Sequence, residues 1–133
     1  MINTSIHNLQ IEQAVLVALM TVSNSYAQVE NLLTEDDFHA TRHKLIFKAV
    51  VDLDSNNSPY DAVLINQWLE MRGHSEAAGG ERYIMQILGD APSSFYNLVS
   101  YAEKLKDFTT CRKVEAEAQK IILNARSLTV SRG

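Results

Sequence analysis

The sequence predicts an all-α fold: a compact bundle of short helices followed by one long C-terminal helix. Three observations carry this expectation. Proline and glycine together number only seven in 133 residues while hydrophobic residues make up 46%, a balance that disfavours both disorder and a turn-rich β fold. No segment alternates apolar and polar residues convincingly enough to read as a strand. From Asn97 to Arg126 there is neither Gly nor Pro, and Leu98, Tyr101, Leu105, Phe108, Cys111, Val114, Ala118, Ile121 and Ala125 recur at helical spacing. That stretch makes one helix of roughly 45 Å, longer than a domain of this size needs for its own core.

Taken in order, Asn8 is a cap for a first helix over Leu9 to Val22, whose run Ala14 to Met20 is apolar all round. Such a helix is central rather than superficial. Ser23, Asn24 and Ser25 end it, and a short turn from Tyr26 to Leu33 points Val29, Leu32 and Leu33 inward. Thr34 with Asp37 three residues on reads as a cap, with Phe38 as its apolar anchor. Thr41 is the next expected cap, opening a helix over Arg42 to Asp54 with Leu45, Ile46, Phe47, Ala49, Val50 and Leu53 inside. Ser55 to Pro59 stops it. Asp61 caps a helix over Ala62 to Arg72 that contributes Val63, Leu64, Ile65, Trp68 and Leu69, with Gly73 at its stop. A short helix over Glu81 to Leu88 follows the Ala77-Ala78-Gly79-Gly80 connection, and Gly89 to Ser93 leads into the long helix. The expected core is Val15, Leu16, Leu19, Phe38, Phe47, Val50, Leu64, Trp68, Tyr83 and Leu88.

The single cysteine, Cys111, has no partner for an internal disulfide and lies on the apolar stripe, so it reads as a buried thiol in a reducing cytoplasm. No leader is visible and the longest apolar run is far too short for a bilayer, so a soluble, unexported, cytoplasmic protein is expected. Net charge is −4, yet residues 1–100 hold 5 basic against 12 acidic side chains and residues 101–133 hold 7 against 4. The acidic body opposes nucleic acid, leaving only the basic arm for such contact.

Candidate chemistry is sparse. His39 and His43 are four apart, the spacing of two metal ligands on a helix, but the expected cap at Thr41 interrupts that helix and no further ligand cluster accompanies them. Glu35-Asp36-Asp37 suits the positive end of a helix better than a magnesium site. Gly79-Gly80 lacks a following Lys, and neither G-x-x-x-x-G-K-[ST] nor G-x-G-x-x-G occurs in these residues. No nucleophile has an activating pattern around it. The expectation is therefore no catalytic residue, no metal ligand and no cofactor site in this chain, and an apolar arm that needs a partner.

The order of several weak motifs is more specific than any one of them. Glu12-Gln13-Ala14-Val15-Leu16, then Asp37-Phe38, His43-x-x-Ile46-Phe47-x-Ala49, Ser58-Pro59-Tyr60-Asp61, Gly79-Gly80-x-x-Tyr83, and Asn97 with Tyr101-Ala102 follow one another across about 120 residues, with Arg112 beyond them. In this the chain resembles the N-terminal domain of the bacterial replicative DNA helicases, the DnaB family. The resemblance implies a helical subdomain over residues 1–94, the long helix of a dimerisation hairpin over 95–126, and a tail over 127–133 where the family pattern breaks off. It implies pairing with itself within a hexamer collar and contact with primase and a helicase loader. DNA would be touched only through a motor domain, which would also bind ATP and magnesium; no membrane is involved. Pairing is expected through Tyr101, Leu105, Phe108, Cys111 and Val114. An alternative is a free-standing helicase-domain mimic that binds a host helicase or loader.

Overall fold

The computed structural model describes residues 8–90 and 97–132, with side chains through residue 128. The expected subdomain boundary at 94/95 lies outside the described residues. Among the described residues there are five α-helices: α1 (Leu9–Thr21), α2 (Thr41–Ser55), α3 (Ala62–Met71), α4 (Gly80–Asp90) and α5 (Leu98–Arg132). Two single turns of tighter helix, Ser25–Gln28 and Glu35–Asp37, link α1 to α2, and no strand occurs among the described residues.

The central position expected for the first helix holds. Every residue from Ala14 to Met20 is buried, and α1 packs against α2, α4 and most extensively α5. Its start is fixed locally, because Asn8 Oδ1 accepts the Ile11 N–H at 3.1 Å. Around it the core collects Phe38, Ile46, Phe47, Val50, Ile65, Trp68, Leu69, Ile84 and Ile87. The Phe38 and Phe47 rings lie 4.9 Å apart, a tilted aromatic pair at the centre.

Several ends follow the sequence. Asp61 Oδ1 accepts the Leu64 N–H at 3.0 Å and opens α3. At the end of α3, Gly73 at φ +72 lets the His74 N–H reach back to the Leu69 carbonyl at 2.8 Å. Asn57 at φ +58 ends α2 in the same way, with the Ser58 N–H on the Leu53 carbonyl.

Other expectations are corrected. Val63 is 75% exposed, and Leu64 is only half-buried because Ile65, Trp68 and Leu69 take the inner face of α3. Helix α2 begins at Thr41, so Thr41 is not its cap: Ala40 occupies that position and offers no capping side chain. Helix α4 extends to Asp90, and α5 continues past the expected end at Arg126 to Arg132.

Candidate interaction arm and its anchor in the body

Helix α5 has two halves with different surroundings. In the first, Leu98, Ala102, Leu105 and Thr109 are buried, at spacings of four, three and four. This stripe is rotated from the expected one. Leu105, 1% exposed, belongs to the chain's own core. Tyr101 packs partly buried against that core and Phe108 is half-buried. Cys111 is exposed, not the buried thiol that the stripe suggested, and Val114 is 63% exposed.

The last firm attachment of α5 is built around Asp37, a fully buried carboxylate in the turn before α2. Its Oδ2 accepts the Thr34 N–H at 2.8 Å, as the Thr34/Asp37 cap reading anticipated. The same carboxylate also reaches across the fold. Lys106 Nζ donates to Oδ2 at 3.0 Å and the Thr109 hydroxyl donates to Oδ1 at 2.6 Å. One turn further, an Arg112 terminal nitrogen donates to the Asp36 carbonyl at 3.3 Å and to Thr109 Oγ1 at 3.2 Å. All three cationic and hydroxyl donors lie on one face of α5, which clamps that helix to the turn.

Beyond this clamp the helix leaves the body. The twenty residues from Lys113 to Arg132 span roughly 30 Å at helical rise. Every residue from Ala116 to Leu128 is exposed, including Ile121, Ile122, Leu123 and Leu128. Ile122, Leu123 and Leu128 were missing from the sequence-based stripe. The run Ile121-Ile122-Leu123 in a basic, otherwise polar segment is the signal for them. Long as it is, α5 is not apolar enough to cross a membrane, and neither is any other helix among the described residues.

A second constellation unites α1, α2 and α4. Glu12 is completely buried on α1. Its Oε2 accepts the His39 N–H at 2.7 Å, and its Oε1 accepts the Ala40 N–H at 3.4 Å and faces His43 Nδ1 at 2.7 Å. Glu12 on α1 thus accepts the two backbone N–H groups just before α2 and sets its charge near the positive end of that helix. On the other side of the imidazole, Nε2 meets the Tyr83 hydroxyl on α4 at 2.5 Å, and Gln13 Nε2 donates to that hydroxyl at 3.1 Å. Burial pushes the Glu12 carboxyl up, but the hydrogen bonds from the His43 ring and the His39 N–H, the His43 charge and the Ala40 N–H outweigh it, and the group is held below its ordinary value of 4.5. A carboxylate has no proton to give, so His43 Nδ1 carries the hydrogen between them.

Both imidazole nitrogens of His43 are thereby engaged, and His39 lies before the helix rather than on its face. The pair does not form the two-ligand helical face that its spacing suggested. Glu12 escaped the sequence reading as a site residue; the signal was a lone carboxylate in a helix otherwise apolar at Ala14 to Met20.

The class that these elements define is an all-helical bundle with a polar network at its centre and a long last helix whose distal half extends from the body. The family model described as the DnaB-like helicase N terminal domain matches residues 4–107. The chain belongs to that family. It is 29% identical over 121 residues to the replicative DNA helicase DnaB of Haemophilus influenzae, covering 91% of the chain and 26% of that protein. It is 30% identical over 101 residues to that of Pasteurella multocida, covering 76% of the chain and 21% of that protein. The chain thus spans about a quarter or less of the helicases it resembles. Its fold is similar to the crystal structure of the N-terminal domain of DnaB helicase from Mycobacterium tuberculosis, with a TM-score of 0.86 at 24% identity over 92% of this chain and 87% of that one. It is also similar to the structure of a DnaB-like replicative helicase and its interactions with primase, with a TM-score of 0.73 at 23% identity over 90% of this chain and 28% of that one.

Proposed function

We propose that this domain serves DNA replication as the non-catalytic N-terminal part of a replicative helicase, in which the distal half of α5 pairs with a second copy of the chain. The observation that carries the reading is the apolar run on α5, where Ile121, Ile122, Leu123 and Leu128 are exposed. In the parent protein such pairs would build the hexamer collar, while ATP and magnesium would be bound by a separate motor domain that unwinds DNA. Primase and a helicase loader are the further partners; support for primase comes from the similar helicase whose structure was solved with attention to that protein. The closing experiment is a pull-down of the cognate primase's C-terminal domain by the 133-residue chain, paired with light scattering of the chain alone. Retention of primase and a concentration-dependent dimer are expected. A monomer that retains no primase would overturn the reading.

A further inference from the structure

Helix α2 and the end of α3 flank an open surface cleft of about 440 Å³ lined by Lys48, Asp52, Trp68, Arg72 and His74 among others. Its charge is opposite to that of its surroundings. Residues 1–100 hold 5 basic against 12 acidic side chains, and two of those five, together with a histidine, gather here around one acid. That acid is already matched. Asp52 Oδ2 accepts the Trp68 indole N–H at 2.7 Å and an Arg72 terminal N–H at 3.2 Å. The same contacts hold the Arg72 guanidinium over the Trp68 ring, 4.2 Å from its centre. Arg72 therefore presents the remaining donors of its planar fork from a fixed position.

Two further groups complete the lining. Lys48 forms no ion pair among the described residues. Gly73, in its left-handed conformation, turns the chain back at the end of α3 and places His74 at the cleft.

An ammonium, a guanidinium fork and an imidazole around one cleft suit an oxyanion that offers oxygens in several directions. A single carboxylate would engage the fork and leave Lys48 unmatched. An extended polyanion would meet the acidic remainder of the body. We propose that this pocket binds a small phosphate-class dianion, inorganic phosphate or a free phosphomonoester. The carbonyl ends of α2 and α3 lie beside the cleft and oppose an anion, so binding is expected to be weak.

Trp68 is the single tryptophan of the chain, so its fluorescence reports on the pocket directly. The 133-residue chain is titrated at constant ionic strength with inorganic phosphate, with acetate and with a short 5′-phosphorylated single-stranded oligonucleotide. Phosphate is expected to give a saturable change and acetate none. Arg72→Gln and Lys48→Gln should each raise the phosphate half-saturation at least about tenfold, whereas Arg82→Gln, on the exposed face of α4, should leave it unchanged. Because Arg72→Gln also alters the indole's surroundings, phosphorus NMR line broadening reads binding independently in each variant, and circular dichroism confirms folding. Absence of a saturable phosphate response, an equal response to acetate, tighter binding of the oligonucleotide than of phosphate, or line broadening that survives in both pocket variants would each overturn the proposal.

Discussion

His43 Nδ1 lies 2.7 Å from Glu12 Oε1, and both side chains are 1% exposed. Removing one partner of a buried pair costs far more than the pair contributes over a hydrophobic equivalent, because the other partner is left unsatisfied. Glu12→Gln is therefore expected to lower stability by about 3 kcal/mol. The effect has a pH signature. The folded carboxyl is held below 4.5, so its contribution is fully present above that value and is lost as pH falls through the lowered folded one. In urea melts, the gap between wild type and Glu12→Gln should shrink as pH falls below the unfolded carboxylate range. A gap that stays constant down to pH 3 would show that the ionised form has no special role.

The far end of the same network depends on a glycine. Gly79 has φ +93, and a Cβ built there would stand 2.7 Å from Tyr83 Cβ. Both the backbone conformation and the space exclude a side chain. Gly79→Ala should cost about 1–3 kcal/mol and displace the Tyr83 ring from His43 and from the Arg42 guanidinium, now 4.6 Å above it. Near-ultraviolet circular dichroism and a thermal melt check this. An unchanged melting temperature would mean that α4 shifts freely.

Asp37 sets where the arm begins. Asp37→Ala would leave the buried Thr109 hydroxyl without its carboxylate and release Lys106. A loss of about 2–3 kcal/mol is expected, concentrated in one place. Hydrogen exchange should quicken in residues 34–38 and over Leu98 to Arg112, with α3 little affected. Uniform acceleration across all helices would instead make Asp37 a general stability residue with no particular hold on α5.

What the sequence disclosed and what it hid divide along the range of the interactions. Asn8, Asp61, Gly73 and the Thr34/Asp37 cap act on backbone a few residues away, and their residue types alone announce them. Glu12 acts on residues 27 to 31 positions distant, so nothing near it in the chain marks it as the acceptor just before α2. The α5 stripe failed for another reason. Residues 98, 101, 105 and 108 and residues 98, 102, 105 and 109 both satisfy helical spacing. Only the carboxylate of Asp37, brought from another element, makes the polar Thr109 an inward residue. Leu105, common to both stripes, is buried in the chain's own core, while Tyr101 and Phe108 flank the body and Val114 stays open.

The two halves of α5 should respond oppositely to charge. Leu105 is buried beneath α5, so Leu105→Asp places a carboxylate in the core and should unfold the chain. Ile121 and Leu128 are 67% and 63% exposed, so Ile121→Asp with Leu128→Asp should change the stability of the isolated fold by no more than about 0.5 kcal/mol per site. If the distal half of the helix pairs with a second copy, the same double variant should abolish that association. Sedimentation equilibrium from 5 to 200 μM, on the order of the range where weak interfaces form, distinguishes the outcomes. Wild type should shift from monomer towards dimer with concentration and the double variant should remain monomeric, with matching circular dichroism at low concentration. A wild type that stays monomeric throughout, or a double variant that dimerises as well as wild type, would remove the distal arm from the pairing surface.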